Sequence, residues 1–311
     1  MEKPRIVIVG AGLAGLACGG ALVDAGFAPR LLDKGRGAGG RCSSRRSSVG
    51  RFDHGAPALQ VTQPNFAEAV ERWRVAGVVV AAGQGSSVLG SPAMNSFVKY
   101  EAERLQAEFS VEVAAPQKTA GGWQIYSAGG HIVDEADIVV FAAPAPQTAD
   151  RLPEGPLKKA AQSVQYAPTW TLMAAFEDGA SGPDEAVLSP TRGPLELVIS
   201  QADRPGRESG VRYVAHARAD WTREHLEHDK GEVAELMLRA LSDSAPSLGA
   251  PTHLDAHRWR YARVETAVGT PFGLDLEQGL ATCGDWHLGP HAEDAWESGH
   301  ALSTALVEAL R

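Results

Sequence analysis

Cysteine is scarce in this sequence, and what there is forms no pattern. Cys18, Cys42 and Cys283 are the three among 311 residues, an odd number with no C-x-x-C pair. That excludes a disulfide framework and points to a reducing, cytoplasmic setting. Long apolar runs are missing too. The nearest, "IVIVGAGLAGLACGGALV" at 6–23, follows Lys3 and Arg5 as a secretory leader would, but its glycines ahead of Cys18 make a poor leader helix. No other stretch approaches the ~20 apolar residues of a membrane span, so no membrane partner is expected. Positive charge is in deficit: the net charge of −9 argues against a nucleic-acid partner, which calls for a basic face. Internal repeats and low-complexity linkers are absent as well.

What is present reads as α/β. "RIVIV" at 5–9 predicts a buried parallel strand, 13–25 a helix closed by Gly26, and "PRLLD" at 29–33 the next strand. Helices are expected over 64–75 and 93–109, with a strand within 76–83 between them. "VEVAA" at 111–115 and the stretch around Trp123 predict a small antiparallel layer leading into a buried strand, Ile138 to Ala143. Strand-like segments at 167–177, 194–201, 211–217 and 252–262, with helices around 222–243, form a mostly antiparallel second part. A strand at 279–286 and a helix at 292–310 close the chain. The expected division is a dinucleotide-binding domain from 1–57, 98–160 and 270–311, and a substrate domain from 58–97 and 161–269.

"GAGLAG" is a G-x-G-x-x-G placed after a strand and opening a helix. Gly10 permits the tight turn, Gly12 lets backbone approach a pyrophosphate, and Gly15 lets the helix pack on the strand. The helix N-terminus then offers free N–H groups and a positive dipole end to the phosphates. Asp33, ending the second strand, is placed to accept hydrogen bonds from ribose hydroxyls. A simple NAD domain goes on to its next helix, whereas here "GAGGR" returns Gly39, Gly40 and Arg41 toward the phosphate turn. Bare backbone can pass close to a cofactor there, and Arg41 can neutralise a diphosphate. A second Gly-Asp, Gly284–Asp285, ends a late strand and suits a longer cofactor.

The acid, the basic spacer, "GGR" and then "GRFDHGA" at 50–56 resemble the flavin-containing amine oxidase superfamily, and within it the bacterial renalase-like flavoproteins. "ADIVVFAAPAPQ", "VQYAPTW", "HARADWTREHLE", "HRWRYA" and "EDAWESGHALSTAL" extend the likeness over nearly the whole chain. The resemblance implies non-covalent FAD in a fold of the p-hydroxybenzoate hydroxylase type, a Rossmann-like FAD-binding domain with an inserted antiparallel substrate domain. FAD would lie on Gly10, Gly12, Leu13, Ala14, Gly15, Asp33, Lys34, Gly40 and Arg41. His54, Gly55 and Ala56 would pass near the isoalloxazine, Asp285 would face the ribityl or pyrophosphate portion, and the helix N-terminus at Glu293, Asp294 and Ala295 would point at the pyrimidine. The family chemistry so implied is oxidation of isomeric dihydronicotinamide dinucleotides, with oxygen as acceptor and peroxide as product.

That chemistry suits another absence. No Ser-His-Asp or paired-carboxylate arrangement stands out, and hydride loss from a dihydropyridine restores an aromatic ring without a strong base. Candidates for the substrate pocket are His216, His257, Trp259 and Tyr261, since aromatic faces stack on a flat ring and histidine bonds a carboxamide or phosphate. Pro57, Ala58, Leu59, Gln60 and Val61 should border it, and "PALQV" departs there from the Gln and aromatic pair of the resembled subgroup. A small amine as substrate, or a non-catalytic FAD-binding module, are the alternatives. Asp285, His287 and His291 are too loosely spaced for a metal site, and none is expected. Cys42 beside Arg41 reads first as buried packing, although of the three cysteines it is the one best placed to be a reactive thiol, while Cys283 reads as an inert strand residue.

Overall fold

The computed structural model describes residues 3–83, 85–180, 187–188, 193–202 and 204–311. The chain opens with β1 (Ile6–Val9), α1 (Leu13–Asp24) and β2 (Arg30–Leu32). A hairpin of β3 (Ser44–Ser47) and β4 (Gly50–Asp53) follows. Next come β5 (Leu59–Gln60), α2 (Pro64–Val75), β6 (Val79–Ala81) and β7 (Ser87–Gly90), then α3 (Ser96–Arg104). An antiparallel meander of β8 (Gln117–Thr119), β9 (Gly122–Tyr126) and β10 (Ile132–Ala136) returns the chain to β11 (Ile138–Phe141).

Two short helices, α4 (Ala145–Ala149) and α5 (Pro156–Gln162), lead into β12 (Gln165–Phe176), β13 (Val187–Leu188), β14 (Leu195–Ser200) and β15 (Arg212–Ala217). After α6 (Ala219–Glu224) and α7 (Lys230–Ser244), the long β16 (Pro251–Thr266) completes this second part. The tail is β17 (Gly273–Asp275), β18 (Leu280–Thr282), α8 (Asp285–Leu288) and α9 (Ala292–Ala309).

The first sheet runs β17-β18-β11-β1-β2, parallel throughout except for the β17 edge. Both faces are covered, which is why "IVIV" carries no polar alternation. Ile6, Ile8, Ile138 and Val140 enter one core with Leu16 and Leu22 of α1 and Leu302 and Leu306 of α9. Val7, Val9, Val139 and Phe141 point the other way, against Trp123 and Ile125 of the meander. Each fully buried side chain of this kind contributes about 1.5–3 kcal/mol. Helices α1 and α9 touch backbone to backbone, since a Cβ on Gly299 would stand 2.1 Å from the Ala14 carbonyl oxygen. The fold is the expected α/β one, a Rossmann-like unit joined to a second, antiparallel part.

The second sheet runs β13-β14-β15-β12-β16, antiparallel. Period-two alternation along β12 divides its faces. Trp170, Leu172, Ala174 and Phe176 pack on Val233, Met237 and Leu241 of α7. Met173 and Ala175 face the other way with Val214, against Phe52 of β4. The β3–β4 hairpin thus docks on the second sheet and carries residues 54–56 alongside it.

Three local expectations differ. The helix expected over 93–109 is confined to α3, and Gln106 at φ 52° turns the chain away from it. "VEVAA" forms no strand, only a bridge between Val113 and Ser127. Leu59, Phe66, Trp73, Val79 and Val88 share the core of α1 and α9, although they lie in a segment, 58–97, that was expected to go with the substrate domain. Trp73 and Trp296 meet edge to face in that core, their centroids 5.1 Å apart.

Candidate active site

The dinucleotide turn is built by close approach. Gly10 has φ 114°, and a Cβ there would lie 3.0 Å from the Ala142 backbone. A Cβ on Gly15 would fall 1.9 Å from the Gly10 carbonyl oxygen. Gly12, by contrast, faces open space and caps α1 without a side-chain bond. Asp33 leans into this turn: Ala11 N–H donates to one carboxylate oxygen at 2.8 Å and Gly35 N–H to the other at 2.7 Å. Lys34 is exposed beside it. Gly40 again faces open space, at φ 51°.

Arg41 and Asp285 were expected to meet a cofactor separately. The structure pairs them, Nη1 with Oδ2 at 2.6 Å and Nη2 with Oδ1 at 2.7 Å, because opposite charges ending the two glycine-bearing loops face each other. Asp285 is buried and Arg41 is one-third exposed, on the open side of the pair. Tyr261 supplies a backbone carbonyl to Arg41, and its ring lies 5.5 Å from that of Tyr166. Burial raises the Tyr166 phenol well above its ordinary value. The Gly55 backbone passes so close to Arg41 that a Cβ would stand 2.0 Å from the Arg41 carbonyl oxygen, and Ala56 N–H donates to that oxygen at 2.8 Å.

His54 is the hinge between the halves. Trp259 donates its indole N–H to the His54 carbonyl at 2.9 Å, and the His54 ring lies 5.1 Å from His257 and 5.3 Å from Trp259. His216 belongs to the same sheet face: Thr171 pairs with His216 on one side and His257 on the other. Side chains directly opposite across a ladder share a face, so the three form a row. Among the described residues, His54 Nδ1, Thr171 Oγ1 and His216 Nε2 are buried without a hydrogen-bond partner.

All three histidines are held neutral. Burial, then the charges of His257 and Arg45, push His54 down to about 3. Burial and the Arg204 charge push His216 down to about 4, and burial with Arg45 lowers His257. Cations surround the row. Arg45 and Lys230 both bind Asp255, at 2.6 and 3.0 Å, and Arg45 Nη2 lies 3.2 Å from His257 Nδ1. Arg204 and Arg207 both bind the wholly buried Asp53.

Other expected residues lie elsewhere. Leu59 is buried in the first core, Ala58 and Val61 pack against it, and the exposed Gln60 pairs with Ser87. Of "PALQV", Pro57 touches the row's surroundings, through its carbonyl to Arg204 at 2.6 Å. Glu293 spends its carboxylate on Thr62 and Gln63, and Asp294 on His291 N–H, while the Asp294 backbone N–H is capped in turn by the His291 side chain. Cys42 is buried, as its first reading has it, and desolvation pushes its thiol up to about 12. His287 is structural, hydrogen-bonded through Nε2 to Thr282 and through Nδ1 to Thr270.

Asp53, Thr171, Arg204 and Arg207 were not anticipated. Asp53 sits inside the quoted "GRFDHGA", where a charge between Phe and His in a strand is a signal of a buried partner. The two arginines lie in a Pro- and Gly-containing loop that reads as solvent-exposed turn.

Comparison with known proteins identifies the family and the fold. A family description of NAD(P)-binding Rossmann-like domains matches residues 8–73, and one of flavin containing amine oxidoreductases matches 79–306. Among solved structures, a protein assigned as a protoporphyrinogen oxidase from Exiguobacterium sp. 255-15 superposes with TM-score 0.78 at 14% identity, covering 99% of this chain and 100% of its own. A triple mutant of putrescine oxidase gives 0.74 at 11% identity, with 98% and 99% covered. Cyclohexylamine oxidase from Brevibacterium oxydans IH-35A gives 0.70 at 11%, with 99% and 100% covered.

Proposed function

This chain belongs to the flavin containing amine oxidoreductase family, and from that premise we propose that it is a renalase-like oxidase of isomeric dihydronicotinamide dinucleotides. It is an FAD-dependent oxidoreductase, and its residues fit that cofactor. Open space at Gly12 and Gly40, an uncapped helix N-terminus and a carboxylate held at the turn by two backbone N–H groups form a cradle that a Cβ would fill. Gly10, Gly12, Leu13, Ala14, Gly15 and Asp33 would hold the adenosine diphosphate half without a covalent bond. Lys34, Gly40, Arg41 and Asp285 would continue the groove, and His54, Gly55, Ala56 and the start of α9 would border the ring.

The observation that carries the substrate reading is the histidine and tryptophan face of the second sheet, flanked by carboxylates that each bind two cations. When bound, FAD supplies a two-electron acceptor at N5 that oxygen reoxidises, giving hydrogen peroxide. A dihydropyridine gives up its hydride without losing a proton first, and so needs positioning rather than a base. His54 at about 3 and His216 at about 4 take up no proton at neutral pH. Trp259 and His257 offer flat faces to a pyridine ring. The paired cations at Asp255 and Asp53 leave local positive charge in an otherwise acidic protein, which suits the phosphates of a dinucleotide and repels an ammonium.

A small amine is the second reading, supported by the aromatic faces of Trp259, Tyr166 and Tyr261 and by the amine-oxidase names of two structural neighbours. Anaerobic mixing with 2- and 6-dihydronicotinamide dinucleotides, against a panel of primary and secondary amines, separates the two. Flavin bleaching by the dihydropyridines supports the first, and bleaching by amines alone overturns it.

A further inference from the structure

Arg204 reaches the buried face from the connection between β14 and β15. Its Nη2 donates to the Pro57 carbonyl at 2.6 Å and its Nη1 to Asp53 Oδ2 at 3.3 Å, while Nε has no acceptor. The side chain is only 7% exposed. Arg207 donates to the same carboxylate oxygen through Nε at 3.1 Å and also through Nη2, and to the Gly90 carbonyl at 3.1 Å. Asp53 accepts Ser44 Oγ–H and Met94 N–H as well, so its oxygens are saturated. Among the described residues, two guanidiniums thus share one carboxylate, and one positive charge is left over in a buried place.

Among the described residues, three buried polar atoms on Arg204, Thr171 and His216 have no hydrogen-bond partner. Thr171 Oγ1 and His216 Nε2 stand on paired positions of adjacent strands, on one face, and the third is Arg204 Nε itself. The Arg204 charge is felt at His216, where it adds to burial in keeping the ring neutral. A buried N–H or O–H is costly to leave without an acceptor, and Thr171 and His216 leave two such groups side by side on one face, within the influence of the Arg204 charge. We propose that Arg204, Thr171 and His216 form a subsite for one oxyanion carried by the substrate, a carboxylate or a phosphodiester.

The proposal rests on reading this sheet face as the substrate side. An oxyanion accepts from Arg204 Nε–H, from the Thr171 hydroxyl and from the Nε2–H tautomer of His216, and its single charge cancels the surplus. A neutral carboxamide makes the same hydrogen bonds but leaves the surplus charge in place. The subsite therefore selects charge, and ring-bearing donors that lack an anionic group lose their anchor.

Nicotinate and nicotinamide test this, because they share a ring and differ by one charge. Each is titrated into the FAD-loaded protein while the flavin absorption spectrum is read. Nicotinate is expected to bind at least about ten-fold more tightly, the ratio a charge-assisted hydrogen bond provides. Arg204→Gln should bring the ratio near one, and Thr171→Val, which keeps volume and charge, should lower it with the fold intact. Equal binding, tighter nicotinamide binding, no response to nicotinate, or a ratio unchanged in the Thr171→Val protein overturns the proposal. Dimethyl phosphate separates the two sources: displacement of nicotinate by it identifies a phosphodiester site, and failure to displace identifies a carboxylate site. Neither ring probe donates hydride, so the result stands whichever donor reduces the flavin.

Discussion

Arg41 and Asp285, 244 positions apart in the chain, close on each other through two parallel contacts of 2.6 and 2.7 Å. This pair joins the loop after β2 to the start of α8, and so connects the two ends of the chain at the groove. A fork of two N–H groups on two carboxylate oxygens fixes orientation as well as distance.

Removing one partner should therefore cost more than removing both. Arg41→Ala leaves a carboxylate that is 4% exposed without its cation, and a destabilisation of about 1–3 kcal/mol is expected, reduced from the fully buried case because Arg41 is partly open to water. Adding Asp285→Asn should recover part of that loss. Chemical denaturation of the FAD-free proteins measures the cycle, and an additive double variant would show that the pair is not coupled.

Asp53→Asn should be the more damaging change, about 3–5 kcal/mol, because Arg204 and Arg207 lose the carboxylate they share in a wholly buried place. Against burial, which would raise it, Arg207 together with the hydrogen bonds from Ser44 and Met94 N–H holds Asp53 below its ordinary carboxylate value. Its contribution to stability is therefore complete above pH ~4, the unfolded value, and is lost as pH falls below that. Urea unfolding followed from pH 6 to pH 3 should show a shallower acid loss in Asp53→Asn than in the wild type. Parallel curves would mean that Asp53 does not carry this linkage.

The histidines produce a second, separate pH window. His54 at about 3, and His216 and His287 at about 4, lie below the unfolded value of about 6.5. Between those limits the unfolded chain binds protons that the folded one refuses, so stability declines as pH drops from about 6.5 toward 4. Proton uptake on unfolding near pH 5 should approach three from these residues, and should fall by about one in His287→Gln. The rate of flavin reduction by a dihydropyridine, in contrast, should be flat from pH ~6 to 8. A bell-shaped profile in that range would reveal a catalytic base.

How much of this was legible depended on whether neighbours in sequence were neighbours in space. The turn at Gly10–Gly15, Asp33, and the buried strands β1 and β11 follow from local rules of backbone conformation and burial, and the sequence shows them directly. Arg41 and Asp285 were each picked out by their glycine neighbours, but their mutual pairing needed the fold. Thr171 looked like one more residue of a β-strand, because period two says which residues share a face and not which face meets a cofactor. Arg204 and Arg207 sat in a loop whose composition reads as solvent, and only the docking of the β3–β4 hairpin turns that loop inward onto Asp53. Leu59 erred in the other direction: a position expected at the pocket is consumed by the first core.

Two glycines of one motif should fail in different ways. A Cβ on Gly15 would stand 1.9 Å from a backbone carbonyl oxygen, so Gly15→Ala must displace α1 from β1 and should destabilise the FAD-free chain by roughly 1–3 kcal/mol. Gly12 meets nothing within 4 Å, so Gly12→Val has room in the protein and occupies the space a pyrophosphate needs. It should retain a near-wild-type unfolding midpoint without cofactor, while its FAD dissociation constant rises at least about ten-fold, a difference of 1.4 kcal/mol. Thermal unfolding with and without added FAD reads both quantities on one sample. The cofactor should raise the wild-type midpoint, raise that of Gly12→Val much less, and leave Gly15→Ala low in its absence. If Gly12→Val gains as much from FAD as the wild type does, the groove above α1 is not where the pyrophosphate lies.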